Sequence, residues 1–202
     1  MKPARNKKEA RGRGAEAPHS PDRTSQRLFL HRLSWRLPAD SYNVPVNAKD
    51  ALALIVFLAM CLGAGGVGSF FTANSARDWY PRLRKPPGTP PSWVFGPAWT
   101  TLYVLMAISA WLVWREYGIG ARPALLIFFA QLALNVAWSG IFFGSRMAGI
   151  AFAEIVILWL AIAFNMILFY WLLPLSALLL VPYLLWVSFA AYLNLGFWRL
   201  NR

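Results

Sequence analysis

The fold class this sequence predicts is an all-α membrane protein, a bundle of five transmembrane helices behind a disordered basic N-terminal extension. Three observations predict it. Of the 202 residues, 58% are hydrophobic and 14% charged, against roughly 45–50% apolar in soluble domains. The apolar residues fall into five runs, each long enough for the ~20 residues that carry a helix across the hydrocarbon core. Trp93 and Trp114 stand near the two ends of the second run, where amphipathic rings settle at headgroup level.

The formal net charge of +12 does not point to nucleic acid, because eleven of the 20 Lys and Arg lie in residues 1–50. No nucleic-acid partner is expected. The two histidines, His19 and His31, are both in the tail, so the membrane part holds no two-His metal site. One cysteine, Cys61, excludes an intrachain disulfide. Without paired carboxylates, a Ser/His/Asp set or a metal cluster in the membrane part, catalytic soluble chemistry is not expected.

Residues 1–48 read as a polar, basic tail too poor in apolar residues to fold alone. No apolar h-region precedes Ala51, which argues against a secretory signal, and Glu9, Glu16 and Asp22 argue against a transit peptide. Within the tail, Arg27–Leu37 places Leu30, Leu33 and Leu37 on one side of a short helix. An interfacial anchor on anionic lipid and a disordered linker fit that segment equally.

Residues 49–202 form the transmembrane domain, with spans at about 51–72, 92–114, 123–144, 148–171 and 175–198. The first is uncharged, and its pairs Ala59/Gly63, Ala64/Gly68 and Gly65/Ser69 have the small-xxx-small spacing that lets helix backbones approach within the bundle or a dimer. Between it and the second span lies a basic, proline-rich loop with Arg82, Arg84 and Lys85. The third span carries Gln131, Asn135, Trp138 and Ser139 at helical spacing; amides are costly in hydrocarbon, so they must face the interior, a neighbour or a ligand. Glu154 is the one acid within the fourth span. A carboxylate satisfied by Arg146 or water is the plainer reading, ahead of a proton relay. In the fifth span Pro182 frees a backbone carbonyl one turn earlier and bends the helix there. Charge placement leaves the orientation in the membrane unassigned, because the basic tail and the Arg77–Lys85 loop pull opposite ways.

Trp99 and Tyr103 are four residues apart and share a helix face, as do Tyr183, Trp186, Ala190 and Asn194. With Gln131, Asn135 and Trp138 they would make an aromatic box with a few amide groups, beneath a cationic loop, suited to something flat and greasy. Aromatics at this spacing also fill ordinary helical cores, and on the residues alone that plainer reading outweighs a pocket.

The strings WYPRLRKPPGTPPSWVFGPAWTTLY at 79–103, NVAWS at 135–139 and PYLLWVSFAAYLN at 182–194 resemble the TspO/MBR family. These are the tryptophan-rich sensory proteins, whose mitochondrial relatives are called translocator protein or peripheral benzodiazepine receptor. The resemblance runs from Ala51 to Asn201 and leaves the tail outside. It implies a five-helix bundle, commonly a homodimer, binding porphyrins and in many cases sterols or other flat hydrophobic ligands under the loop between the first two helices. The pocket positions it implies are Tyr80, Trp99, Tyr103, Gln131, Asn135, Trp138, Trp186 and Ala190.

The resemblance thus implies a tetrapyrrole-binding sensor or translocator in the bilayer. Porphyrin or haem is a ligand and no obligatory cofactor is expected; a bacterial cell envelope is preferred over an organelle. An alternative is an enzyme that degrades protoporphyrin in light and oxygen through Trp99 and Trp186. A second alternative is a sterol or lipid binder, or a purely structural bundle. The chain departs from the family in two places: Pro87 and Gly88 stand where it usually has loop aromatics, and Leu195 stands at a tyrosine of its proposed sterol pattern.

Overall fold

The computed structural model describes residues 47–202, in which every regular element is helical. The expectations for the tail, including the short Arg27–Leu37 helix, lie outside the described residues.

Helix α1, Ala48–Asp78, starts where Asn47 and Asp50 cap each other: the Asp50 N–H donates to the Asn47 side chain at 3.0 Å and the Asn47 N–H to the Asp50 carboxylate at 3.2 Å. This reciprocal box satisfies two of the donors that a helix start leaves open. Past α1 a 3-10 turn, Tyr80–Arg82, opens the loop to α2, Ser92–Tyr117. Gly118 ends α2 with φ +51, a conformation that needs a residue without Cβ. A second 3-10 turn, Gly118–Ala121, leads into α3, Arg122–Ser139, which widens into a π turn at Gly140–Gly144. Arg146, at φ 59, reverses the chain into α4, Ala148–Leu172. Pro174 then starts the short α5, Pro174–Leu179, and α6 follows at Val181–Leu200.

The last apolar stretch, Pro174–Leu200, is one candidate span, interrupted at Leu180 where α5 gives way to α6, within a turn of Pro182 as its sequence leads one to expect. Pro182 sits in the first turn of α6, where a missing N–H costs nothing, and the chain breaks just before it at Leu180. Four helical stretches among the described residues are long and apolar enough to cross a membrane: Ala48–Ala73, Ser92–Gly144, Ala148–Leu172 and Pro174–Leu200.

Helix α1 packs against α2 and α3, and α4 against α3, α5 and α6. The larger of the two buried clusters lies mostly away from the 80–91 loop. There Phe128 stacks on Phe169 with centroids 6.2 Å apart, and Met106, Ala110 and Val113 are fully buried. At that end Trp111 donates to the Asp50 carbonyl at 2.8 Å, Ser109 to the Ser176 carbonyl at 2.7 Å, and Arg115 lies 3.9 Å from the Asp50 carboxylate.

One expected pairing is absent. Glu154 is buried with neither carboxylate oxygen hydrogen-bonded among the described residues, while Arg146 is exposed on its turn. The left-handed turn carries Arg146 outward, away from the core face of α4 where Glu154 lies.

Candidate ligand-binding site

The site begins with two glycines of α1. A Cβ on Gly65 would sit 2.6 Å from the Tyr103 ring, so only glycine lets that ring lie on the α1 backbone; one on Gly68 would meet the Ser139 hydroxyl at 3.2 Å. Seated this way, Tyr103 stacks under Trp99, with centroids 5.6 Å apart and planes 29° from parallel. Trp186 of α6 meets Trp99 edge-on at 6.4 Å and 83°, and Phe95 meets Trp186 at 6.0 Å. Offset-stacked and edge-to-face pairs are the arrangements that ring quadrupoles favour.

The polar groups around these rings are mostly turned inward on one another. The Tyr103 hydroxyl donates to Asn135 Oδ1 at 2.5 Å, and Asn135 Nδ2 donates to the Tyr183 hydroxyl at 3.2 Å. Trp138 Nε1 donates to Asn194 Oδ1 at 3.0 Å, while Asn194 Nδ2 donates to the Ala148 carbonyl at 2.7 Å. Each asparagine thereby fixes an aromatic ring that faces a common space.

That space is a cavity of about 450 Å³, within the ~300–1,000 Å³ of ordinary ligand sites. Seven of the ten residues expected to bind ligand line it: Tyr80, Trp99, Tyr103, Trp138, Trp186, Ala190 and Asn194. Gln131, Asn135 and Tyr183 do not line the cavity. Asn135 and Tyr183 support the wall through Tyr103, and Gln131 is 1% exposed with its amide atoms unpartnered among the described residues. A helix face fixes direction but not depth, so residues sharing a face divide between wall and backing.

Arg82, Arg84 and Lys85 are exposed on the loop and none lines the cavity. The Lys85 ammonium lies 5.3 Å from the centroid of the Tyr80 ring, which does line it. Burial pushes the Tyr80 phenol above its ordinary range, so it is a neutral hydrogen-bonding wall at physiological pH.

Sequence reasoning missed Phe95, Phe142, Phe143 and Phe197 as wall residues, and read Gly65 and Ser69 only as helix packing. The glycines were the available signal: small residues on one helix, opposite large rings on the next, leave room as readily as they close it. The walls offer ring stacking, edge contacts and few free hydrogen-bonding groups. Among the described residues no group of three or more His, Cys, Asp or Glu could hold a metal ion.

The profile of the TspO/MBR family matches residues 56–199. The chain is 38% identical over 157 residues to the tryptophan-rich protein TspO of Chlorobaculum tepidum, covering 76% of this chain and 98% of that one. It is 42% identical over 138 residues to the translocator protein of Homo sapiens, covering 67% and 82%. To the tryptophan-rich sensory protein of Cereibacter sphaeroides it is 38% identical over 152 residues, covering 75% and 93%.

Proposed function

Because this chain belongs to the TspO/MBR family, a family of membrane proteins, we propose that it binds a flat tetrapyrrole in the cavity between α1, α2, α3 and α6, as sensor or carrier. The observation that carries this reading is the wall itself. Trp99 and Tyr103 stack with planes 29° apart, Trp186 stands edge-on to Trp99, and Trp138 is pinned by Asn194. A planar ring system slides against the stacked pair and meets the edge of Trp186, and the exposed cations of the loop suit peripheral carboxylates.

The same reading has the chain cross the membrane five times. The helical run Ser92–Gly144 holds 53 residues; at ~1.5 Å per residue it spans ~80 Å, far beyond the ~30 Å core, so it supplies two crossings hinged at Gly118.

Protoporphyrin titrated in the dark into protein in detergent tests the reading through tryptophan quenching. Saturable quenching by protoporphyrin and haem alike is expected, since both histidines of the chain lie in the tail. Absent quenching, or haem bound far more tightly with an axial-ligand spectrum, would sink it.

A second reading rests on Trp99 and Trp186 both facing the cavity with centroids 6.4 Å apart. It makes the protein an enzyme that breaks down bound protoporphyrin in light and oxygen. Loss of the porphyrin bands under illumination, slower in Trp99→Phe and Trp186→Phe, supports it; bleaching unchanged in both variants removes it.

A further inference from the structure

We propose that the cavity takes its ligand sideways from the bilayer, through a slot between α1 and α2, while the 80–91 loop is latched to α6 as a fixed roof. The proposal rests on the cavity being a site for a flat, membrane-dissolved ligand, and it adds the route.

The first observation is where the cavity wall is exposed. Every exposed lining residue belongs to α1 or to the first turns of α2, including Gly66, Ser69 and Ala73 on one side and Gly96 and Thr100 on the other. Every lining residue from the roof, α3, the π turn and α6 is buried or half-buried. The two helices touch at Gly65 and Tyr103, and the exposed lining residues Ser69, Ala73, Ser92 and Gly96 lie on the loop side of that contact. A Cβ on Gly66 or Gly96 would meet nothing within 4 Å. Gly66, Ser69 and Ala73 fall inside the apolar stretch Ala48–Ala73, so the slot opens at hydrocarbon depth. A molecule already dissolved in lipid reaches it; a water-borne one does not.

The second observation concerns the loop, which is tied down. Asn201 grips Arg84 twice, accepting from its N–H at 2.9 Å and donating to its carbonyl at 3.0 Å, and donates again to the Phe197 carbonyl at 2.9 Å. Pro86 is buried against Gly196, where a Cβ would stand 2.5 Å from the proline ring. Tyr192 donates to the Pro87 carbonyl at 3.3 Å, and Tyr80 packs on Phe197 at 5.3 Å. Opening the roof breaks all of these together, whereas the slot has small side chains on its lips.

The test fills the slot and locks the roof in separate proteins. Gly66→Leu with Gly96→Leu puts bulk into open space and replaces helical glycines, which favours folding. Pro86→Cys with Gly196→Cys, oxidised, ties roof to α6; disulfide Cβ atoms stand ~3.8 Å apart, so the loop relaxes by about an ångström where the proline ring was. Protoporphyrin is mixed with each protein in lipid nanodiscs and the quenching rate is followed. The filled slot is expected to slow association at least about ten-fold, while the locked roof stays within about two-fold of its reduced form. The opposite pattern overturns the proposal.

A readout without porphyrin separates the route from the ligand. Ser139→Cys on the cavity wall, in a Cys61→Ala background, is offered a bilayer-soluble maleimide. Labelling in the parent that is lost on filling the slot supports the lateral route even if wild-type protein fails to quench with protoporphyrin, a failure that would fall on the binding reading alone. Labelling that survives the filled slot, or that is faster with a water-soluble reagent, overturns the route.

Discussion

The two ends of this bundle are built from the same residue types and do opposite things with them. Away from the 80–91 loop, Trp111 and Tyr117 turn their polar atoms onto the backbone carbonyls of Asp50 and Leu172, and Phe128 and Phe169 stack, both fully buried. Toward the loop, Trp99, Tyr103, Trp138 and Trp186 face one another across a cavity of about 450 Å³. What differs is what stands opposite the rings. The closed end sets rings against Leu125, Leu158, Ile162 and other rings; the open end sets them against Gly65, Gly68, Ser139 and Ala190. Aromatic content alone says nothing about a site, and the small residues across from it decide.

Truncation at the closed end breaks this comparison most strongly. Phe128→Ala empties a fully buried site and should cost about 3–5 kcal/mol, read as a lower unfolding midpoint in detergent, while protoporphyrin affinity of the folded fraction is unchanged. A parallel loss of affinity would mean that the two ends are not independent. Trp99→Ala does the reverse. Losing an aromatic wall removes about 1.5–3 kcal/mol of contact with a bound ring, or roughly 10–100-fold in affinity, with a smaller change in unfolding midpoint because one face of the ring already borders the cavity.

Asn135 sharpens the comparison from behind the wall. Asn135→Leu leaves the Tyr103 hydroxyl without its acceptor and the Tyr183 hydroxyl without its donor, at about 1–3 kcal/mol of stability. Affinity should fall with it as Tyr103 loses its fixed orientation; equal affinity would make Asn135 a packing residue only. The smallest effect belongs to the roof. Replacing Arg82, Arg84 and Lys85 together by Gln should weaken protoporphyrin binding by less than about 1 kcal/mol per charge, with the difference vanishing at 1 M salt, because exposed charges are screened. An effect that survives salt would place a cation inside the site.

Hydropathy fixed the class and the helical segments, because backbone groups in hydrocarbon must pair within their own segment and the apolar runs leave helix as the available form. Asn47 and Asp50 capping α1, Gly118 ending α2 and Pro182 breaking the last stretch are local effects of the same kind, decided within a turn or two of chain. The pairing of Trp99 with Tyr103 followed from 3.6-residue periodicity alone. Tertiary structure decided the rest. Whether Asn135 lines the cavity or backs it, whether Gly65 closes a gap or makes one, and whether Asn201 reaches Arg84 across 117 positions of sequence all depend on how deeply separate helices interpenetrate. A cavity is the volume four segments fail to fill, and no single segment carries that difference in its own residues.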